Sequence, residues 1–231
     1  MKKTDQNYMI MTVIFVVSIV IANVVGARVV TSGLALGNIS LAASGGALTY
    51  AITFLCTDVA GEIWGKKKAK AMVKYGFIGQ IFSTIMILLT GYLPAVDPVI
   101  DQAYHTLLGT NWLFCLGSLS GYLCSQTWDV YFFHKIRDAY IKKHGTRDGG
   151  RWIWNNASTM TSQIIDTIMY ASISFGIGMG WFFSSEMRKA FVGLVVGQYL
   201  LKAFLALLDT PIFYLLTREE THVSTELKEA V

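Results

Sequence analysis

Charged residues are scarce in this sequence. Lysine, arginine, aspartate and glutamate together make up 15% of the 231 residues, whereas 53% of the residues are hydrophobic. Soluble domains usually carry about 25% charged residues, so this balance argues against a soluble globular protein and predicts a chain that resides in a membrane. The net charge of +4 matters less than the positions of the basic residues along the chain.

Motifs of metal sites and of common enzymes are also missing. Cys56, Cys115 and Cys124 form neither a C-x-x-C pair nor a cysteine–histidine cluster, so we expect no disulfide scaffold, no metal and no cofactor. No G-x-x-x-x-G-K-[ST] sequence occurs, so this chain does not itself hydrolyse ATP. The H-E-x-x-H motif of zinc proteases and the G-x-G-D motif of intramembrane aspartyl proteases are absent as well. We therefore predict that the protein is not an enzyme.

Long apolar runs dominate the chain instead. Six segments are long enough to cross a hydrocarbon core, which requires about 20 apolar residues per helix. The sequence thus predicts an all-α integral membrane protein with six transmembrane helices in a single domain, residues 1–231, and a polar cytoplasmic tail at 218–231. The predicted spans are 8–30, 39–60, 71–93, 112–134, 159–183 and 190–216.

The basic residues predict the orientation of these spans. Lysines and arginines cluster before the first span, between the second and third, between the fourth and fifth, and after the last. The loop at residues 94–111 contains none, and Arg188 with Lys189 is a minor exception. Because cytoplasmic loops carry the excess of basic residues, both termini are predicted to face the cytoplasm.

Glycines at short spacings occur in several of the predicted spans. Gly117 with Gly121, and Gly193 with Gly197, are four residues apart, and Gly176, Gly178 and Gly180 cluster in another span. In lipid, small residues at such spacings allow helices to approach closely. We expect them to pack helices inside the bundle, and a homodimer interface is the alternative.

Ionisable residues inside the predicted spans indicate a functional site. Such groups cost about 2.5–3.5 kcal/mol each at a helix centre on insertion scales. Asp129, Asp166 and Lys202 lie well inside spans, and Asp58 and Glu62 lie near the inner end of the second. The carboxylates outnumber Lys202, so either some are protonated at neutral pH or a cationic ligand compensates them.

The spacing Ser-Gln-x-x-Asp occurs twice, at residues 125–129 and 162–166. Residues three or four apart share a helix face, so each glutamine lies beside its aspartate. Counting about 1.5 Å per residue from the predicted span ends places the two aspartates at similar depth. A carboxylate accepts two parallel N–H bonds and a glutamine offers one donor group and one acceptor. The pattern predicts a site for a small polar solute, with a heterocycle among the candidates.

Several motifs are spread over most of the chain, from about residue 57 to residue 214. They are residues 57–66 (TDVAGEIWGK), 125–129 (SQTWD), 151–158 (RWIWNNAS), 162–167 (SQIIDT), and Lys202 with 210–214 (TPIFY). Together they resemble the motifs of the YhhQ-type queuosine-precursor transporters, which are also grouped as vitamin uptake transporters. In the first of these motifs, the usual Thr-Glu pair of that family is replaced by Gly61-Glu62.

This resemblance implies import of 7-cyano-7-deazaguanine or 7-aminomethyl-7-deazaguanine across the inner membrane of a bacterium, for salvage of the tRNA nucleoside queuosine. The implied partners are the deazapurine substrate and the lipid bilayer, with no nucleic acid. Lys202 is implied to pair with Asp166 or the ligand, and Asp58 and Glu62 to form a gate or proton-coupling site. The implied substrate-binding residues are Gln126, Asp129, Gln163, Asp166 and Lys202.

Other functions remain open at this stage. The chain could be the substrate-binding membrane subunit for another vitamin or nucleobase, energised by a partner ATPase. An intramembrane enzyme would use Asp129 and Asp166 as a dyad, and an assembly or scaffold protein would bind no solute.

Overall fold

The computed structural model describes residues 1–144 and 151–229. Within these ranges the chain is mostly helical and contains one β-hairpin. A π-helical segment (Ser172–Gly178) and a 3₁₀ turn (Trp181–Phe183) connect the sixth helix to the seventh. The other elements are α1 (Asp5–Val24), β1 (Val29–Leu36), β2 (Ile39–Ser44), α2 (Ala47–Trp64), α3 (Lys66–Gly91), α4 (Pro98–Leu108), α5 (Asn111–His144), α6 (Arg151–Ala171) and α7 (Ser185–Glu229).

Local sequence signals explain where several helices begin and end. The Thr4 hydroxyl accepts a hydrogen bond from the Asn7 N–H at 3.2 Å and caps the start of α1. Gly65 separates α2 from α3 with a φ of +85°, a region that other residues rarely adopt. Asp97 caps α4, and Pro98 follows it at the first helical position, where its missing N–H costs nothing.

The long helices alternate in direction. The Met1 ammonium group donates a hydrogen bond to the carbonyl of Leu216 in α7, so the N-terminus and this part of α7 share one end of the bundle. At the other end, the Asn111 amide at the start of α5 donates to the Asn23 carbonyl at the end of α1, at 3.3 Å. This bond satisfies a carbonyl in the last turn of α1 that has no partner within the helix.

The outer surface of the bundle is apolar. Two helices among the described residues, α1 and α3, are long and apolar enough to cross a membrane, with mean hydropathies of 2.1 and 1.6. Exposed large apolar side chains occur on all six long helices, as contact with lipid requires. Examples, one from each of these helices in chain order, are Ile14, Ile52, Ile81, Leu116, Ile164 and Leu200.

The prediction of an all-α chain was wrong between α1 and α2. The predicted first span continued to residue 30, but α1 ends at Val24. The predicted second span began at residue 39, but residues 39–44 form β2, which pairs antiparallel with β1. Leu36 pairs with Ile39, so the turn consists of Gly37, which has a φ of +60°, and Asn38. A Gly-Asn pair between two β-prone runs favours a two-residue hairpin turn.

The hairpin packs on α7 through two glycines. A Cβ atom at Gly193 would lie 2.2 Å from the Ser40 carbonyl oxygen, and one at Gly197 would lie 2.2 Å from that of Ala42. An isolated hairpin is only marginally stable, and non-helical backbone at membrane depth requires protein around it. The Gly193–Gly197 spacing, which predicted close packing of helices, therefore accommodates a strand.

Other predicted boundaries also differ from the structure. The loop at residues 94–111 contains the helix α4, none of whose residues is buried. Helices α5 and α6 extend the predicted spans into the basic loop, to His144 and from Arg151. Residues 218–229 of the predicted tail continue α7, and residues 145–150 and 230–231 lie outside the described ranges.

Candidate functional site

A small cavity with several polar side chains in its walls lies near the end of the bundle that carries the hairpin, where six segments of the chain meet. Its volume is about 30 Å³, which is enough for roughly two water molecules. The end of α1, the hairpin, the start of α2, and α5, α6 and α7 all contribute to its walls. The polar side chains that line it are Asn23, Ser44, Tyr50, Ser118, Asp166, Tyr170, Gln198 and Lys202.

An ion pair between α6 and α7 forms one side of the cavity. Lys202 Nζ donates to Asp166 Oδ2 at 2.6 Å and to Thr167 Oγ1 at 3.2 Å, and it lies 5.4 Å from the centre of the Tyr50 ring. Both charged side chains are only 9% exposed. Burial removes both charges from water, and their mutual attraction offsets this cost only when each charge also has good partners. Lys202 has three partners: the carboxylate of Asp166, the hydroxyl of Thr167 and the ring of Tyr50. Of the two partners that the resemblance implied for Lys202, Asp166 or the ligand, the structure contains the pairing with Asp166.

Two glycines of α5 allow α6 to bring Asp166 this close. A Cβ atom at Gly121 would lie 2.9 Å from Asp166 Oδ1, and one at Gly117 would lie 2.5 Å from Ser174 Oγ. The Gly117–Gly121 pair therefore packs two helices of one chain against each other, as small residues do in membrane bundles.

Ser44, at the end of β2, connects four segments around the cavity. It is 2% exposed, and its hydroxyl donates to the Gly26 carbonyl at 2.9 Å and lies 3.3 Å from the Tyr170 hydroxyl. Its N–H points to Gln198 Oε1 at 3.4 Å, and its hydroxyl accepts a bond from the Gly46 N–H at 3.3 Å. The position of the hairpin and the orientation of two cavity residues, Tyr170 and Gln198, are therefore linked through this serine.

A second polar network extends from the cavity towards α3. The Ser118 hydroxyl donates to Asn23 Oδ1 at 3.2 Å, and Asn111 bonds to the Asn23 carbonyl. The Thr84 hydroxyl donates to Asn111 Oδ1 and accepts from Gln80 Nε2, both at 3.2 Å. Each of these residues is buried. Interhelical bonds of this kind orient Asn23 and Ser118 at the cavity wall.

The sequence-predicted residues separate into two groups in the structure. Asp166 and Lys202 line the cavity. Gln126 is exposed on α5, and Gln163 is half-buried on α6 outside the cavity, with a buried Oε1 that has no hydrogen-bond partner among the described residues. The side chain of Asp129 lies outside the part of the chain that the structure describes.

The predicted common depth of the two aspartates is corrected. Asp166 lies beside Gly121 of α5. Asp129 follows Gly121 by eight residues in the same helix, which corresponds to about 12 Å along the axis. Trp128 Nε1 donates to Thr161 Oγ1 at 3.1 Å, so this part of α5 lies level with an earlier turn of α6. The spans were aligned from approximate ends, and the glycine contacts define the register instead.

Asp58 and Glu62 lie elsewhere. Both are exposed on α2, one turn apart, and neither lines the cavity. They lie in the half of α2 that leads to Trp64, whereas the cavity is lined by Ala47 and Tyr50 at its start. A role as gate or proton-coupling site remains a prediction.

Sequence reasoning missed Ser44, Ser118 and Gln198 as site residues. The predicted second span places Ser44 in a helix, whereas the Gly37-Asn38 pair before it is the signal for a strand. Gln198 stands one helical turn from Lys202, and this spacing is the signal that places it beside the site.

The chain belongs to a family of membrane transporters. The family described as "Putative vitamin uptake transporter" matches residues 44–216, which include Ser44, Asp166, Gln198 and Lys202. The predicted family resemblance is therefore confirmed, and it indicates membrane transport rather than catalysis.

One relative gives a more specific comparison. The chain is similar to the "Probable queuosine precursor transporter" of Bacillus subtilis (strain 168), with 29% identity over 177 residues, or 75% of this chain and 71% of the relative. No solved structure matches.

Proposed function

We propose that this protein imports queuosine precursors, 7-cyano-7-deazaguanine or 7-aminomethyl-7-deazaguanine, into the bacterial cytoplasm for salvage into tRNA. The observation that carries the proposal is the buried Asp166–Lys202 pair in a polar cavity, inside a bundle whose outer surface is apolar. The name of the relative from Bacillus subtilis supports the substrate class.

The chemistry of the cavity suits a guanine-like edge. A carboxylate such as that of Asp166 can accept two parallel N–H bonds from such an edge. The Gln198 amide supplies a donor group and an acceptor beside it, and the Tyr50 and Tyr170 rings supply flat apolar surface. The aminomethyl form also carries a cationic ammonium group, which an aspartate attracts in addition to the N–H groups of the guanine-like edge.

The proposed topology has six spans in the inner membrane and both termini in the cytoplasm. The six long helices alternate in direction, and the N-terminus contacts the carbonyl of Leu216 near the far end of the chain. The lysines at the start of α3 lie at this same end, because the Tyr8 hydroxyl near the start of α1 donates to the Lys68 carbonyl at 3.0 Å. Positive residues at the end that carries both termini fit the positive-inside rule.

The cavity must widen before a bicyclic solute can enter it. Its volume of about 30 Å³ is far below the roughly 300–1,000 Å³ of typical ligand pockets. We assign the structure to a closed state of the carrier. Asp129 lies about 12 Å along α5 from Gly121, on the cytoplasmic side of the cavity. We assign it to the inner part of the path that the solute follows from the cavity to the cytoplasm. Gln126 and Gln163 are assigned as further contacts on this path, and Asp58 and Glu62 are assigned to its inner end.

Queuosine in tRNA provides the test. Cells that neither synthesise the precursor nor contain their own importer would express this chain and receive a low concentration of either deazapurine. We expect queuosine to appear in tRNA with the wild-type protein and with Asp101→Asn, which alters an exposed pair with His105. Asp166→Asn should abolish it at equal membrane abundance. Absence of queuosine with abundant wild-type protein would refute the proposed cargo.

A further inference from the structure

We propose that the β1–β2 hairpin is the outer gate of the cavity, and that Gln198 and Tyr170 bond to Ser44 when the gate is closed and to the solute when it is open. This inference rests on the proposed function for its solute. The gate itself is inferred from contacts that do not depend on the identity of the cargo.

Ser44 is the first element of the argument. Its hydrogen bonds to Gln198 and Tyr170 involve two side chains that also line the cavity. When these bonds form, the amide oxygen of one residue and the hydroxyl of the other are engaged by the hairpin. A polar solute at this site needs those same groups, because buried donors and acceptors must be paired.

The contact between the hairpin and α7 is the second element. Backbone atoms of β2 lie directly against Gly193 and Gly197, without intervening side chains. β1 carries exposed apolar residues such as Leu34, which is 65% exposed. A two-stranded hairpin is marginally stable alone, so its contact with α7 determines whether it covers the cavity.

The size of the cavity is the third element. The solute requires a wider space than the closed state provides, so at least one wall must move. Helices α5 and α6 are fixed to each other through Gly117 and Gly121. The hairpin wall is held by Ser44, by the close contact of β2 with two glycines, and by Val29 of β1, which packs against the core cluster that includes Phe114. Because a two-stranded hairpin is a smaller and less stable unit than a pair of long helices, it is the wall that we assign to movement.

The position of the hairpin assigns it to the outer side. It connects the end of α1 to the start of α2, and both points lie at the end of the bundle opposite to the Met1–Leu216 contact. In the proposed topology the end with the termini is cytoplasmic, so the hairpin opens towards the outside.

Cysteine accessibility tests the gate. In a background with Cys56, Cys115 and Cys124 changed to alanine, Ala47→Cys places a thiol at a cavity position that is 5% exposed. A membrane-impermeant maleimide is added to right-side-out and to inside-out vesicles. Two further changes are introduced separately: Gly197→Ala, which pushes β2 away from α7, and Ser44→Ala, which removes only the hydroxyl. Gly61→Ala, in open space, is the matched control.

We expect slow labelling in the background protein and in the Gly61→Ala control. Gly197→Ala and Ser44→Ala should each accelerate labelling by about tenfold or more, and only in right-side-out vesicles. Unchanged rates in both variants, or acceleration only in inside-out vesicles, would overturn the gate. If Gly197→Ala does not fold, the labelling rate of Ser44→Ala alone decides whether the gate is refuted.

The cargo is tested in the same vesicles. Saturating 7-aminomethyl-7-deazaguanine should slow the labelling of the Gly197→Ala protein, because it occupies the exposed site. If the two gate variants accelerate labelling but no deazapurine protects the thiol, the gate stands and the proposed cargo is wrong. If protection occurs without acceleration by either variant, the cargo stands and the gate is wrong.

Discussion

Lys202 of α7 donates a hydrogen bond of 2.6 Å to Asp166 of α6, inside a bundle whose surface is otherwise suited to lipid. Each charge is an expensive group for this environment, and each is the principal partner of the other. The pair therefore links two helices that the chain order separates by the π-helical segment and the 3₁₀ turn. Its energetics can be measured by removing the partners singly and together.

Asp166→Asn or Lys202→Gln alone should destabilise the purified protein more than the double variant does. Removal of one partner leaves a buried, unpaired charge, which costs about 3–5 kcal/mol, whereas neutralising both leaves two amides that can bond to each other. Thermal unfolding in detergent provides the measurement. A double variant less stable than either single variant, or additive losses, would show that the two residues act independently.

Close packing of α5 on α6 leads to a second prediction. Gly117→Ala should lower stability by about 1–3 kcal/mol, because overpacking displaces neighbours and the new Cβ would lie 2.5 Å from Ser174 Oγ. Gly61→Ala should have no effect or stabilise α2 slightly, because none of the atoms that the structure describes lies within 4 Å of the added Cβ.

Ser174 provides the internal control for this packing argument. Ser174→Ala removes the closest atom and should restore part of the stability that Gly117→Ala loses, as measured by the unfolding midpoint of the double variant. The Tyr170 carbonyl, 3.2 Å from the added Cβ, limits the recovery. If Ser174→Ala gives no recovery, the steric explanation for Gly117 is wrong.

Composition and spacing were sufficient to predict the helical membrane character and the family. Apolar runs and the polar residues within them are properties of single segments, so they can be recognised without knowing how the segments pack. Asp166 and Lys202 were found for this reason: a charge within an apolar run is conspicuous wherever its partner lies. Glycine spacing likewise predicted that backbones would approach closely, although it did not distinguish a helix from the strand that contacts Gly193.

The hairpin and the relative depth of the aspartates were not predicted correctly, and both depend on tertiary packing. Residues 39–46 are small and apolar enough to begin a span, so only the Gly37-Asn38 turn argued for a strand. The alignment of α5 and α6 follows from contacts at Gly117 and Gly121, and helix ends do not specify it. Ser44 was missed as a direct consequence of the wrong helix assignment.

The buried amide network on the far side of the cavity gives a third prediction. Asn111→Leu should cost more stability than Gln80→Met, by about 1–3 kcal/mol, because it removes the donor to the Asn23 carbonyl and the acceptor of the Thr84 hydroxyl proton. Gln80 makes one bond to Thr84, and its Oε1 has no hydrogen-bond partner among the described residues, so its removal exposes fewer unpaired groups. Unfolding midpoints that rank in the opposite order would contradict this account of the network.

Asp129 and Asp166 should be separable by function, because Asp129 lies about 12 Å along α5 from Gly121, the residue beside Asp166 of α6. In the proposed transport cycle, Asp166 binds the solute in the cavity, whereas Asp129 acts on the solute as it passes to the cytoplasm. Both Asp129→Asn and Asp166→Asn should therefore abolish queuosine salvage.

Binding distinguishes the two variants. Because a ligand stabilises the folded protein that binds it, saturating 7-aminomethyl-7-deazaguanine should raise the unfolding temperature of the wild-type protein and of Asp129→Asn, but not that of Asp166→Asn. The exposed Asp101→Asn variant should behave as the wild type in both assays. If Asp129→Asn also loses the thermal shift, Asp129 contacts the bound solute, and the two carboxylates contribute to one site despite their separation.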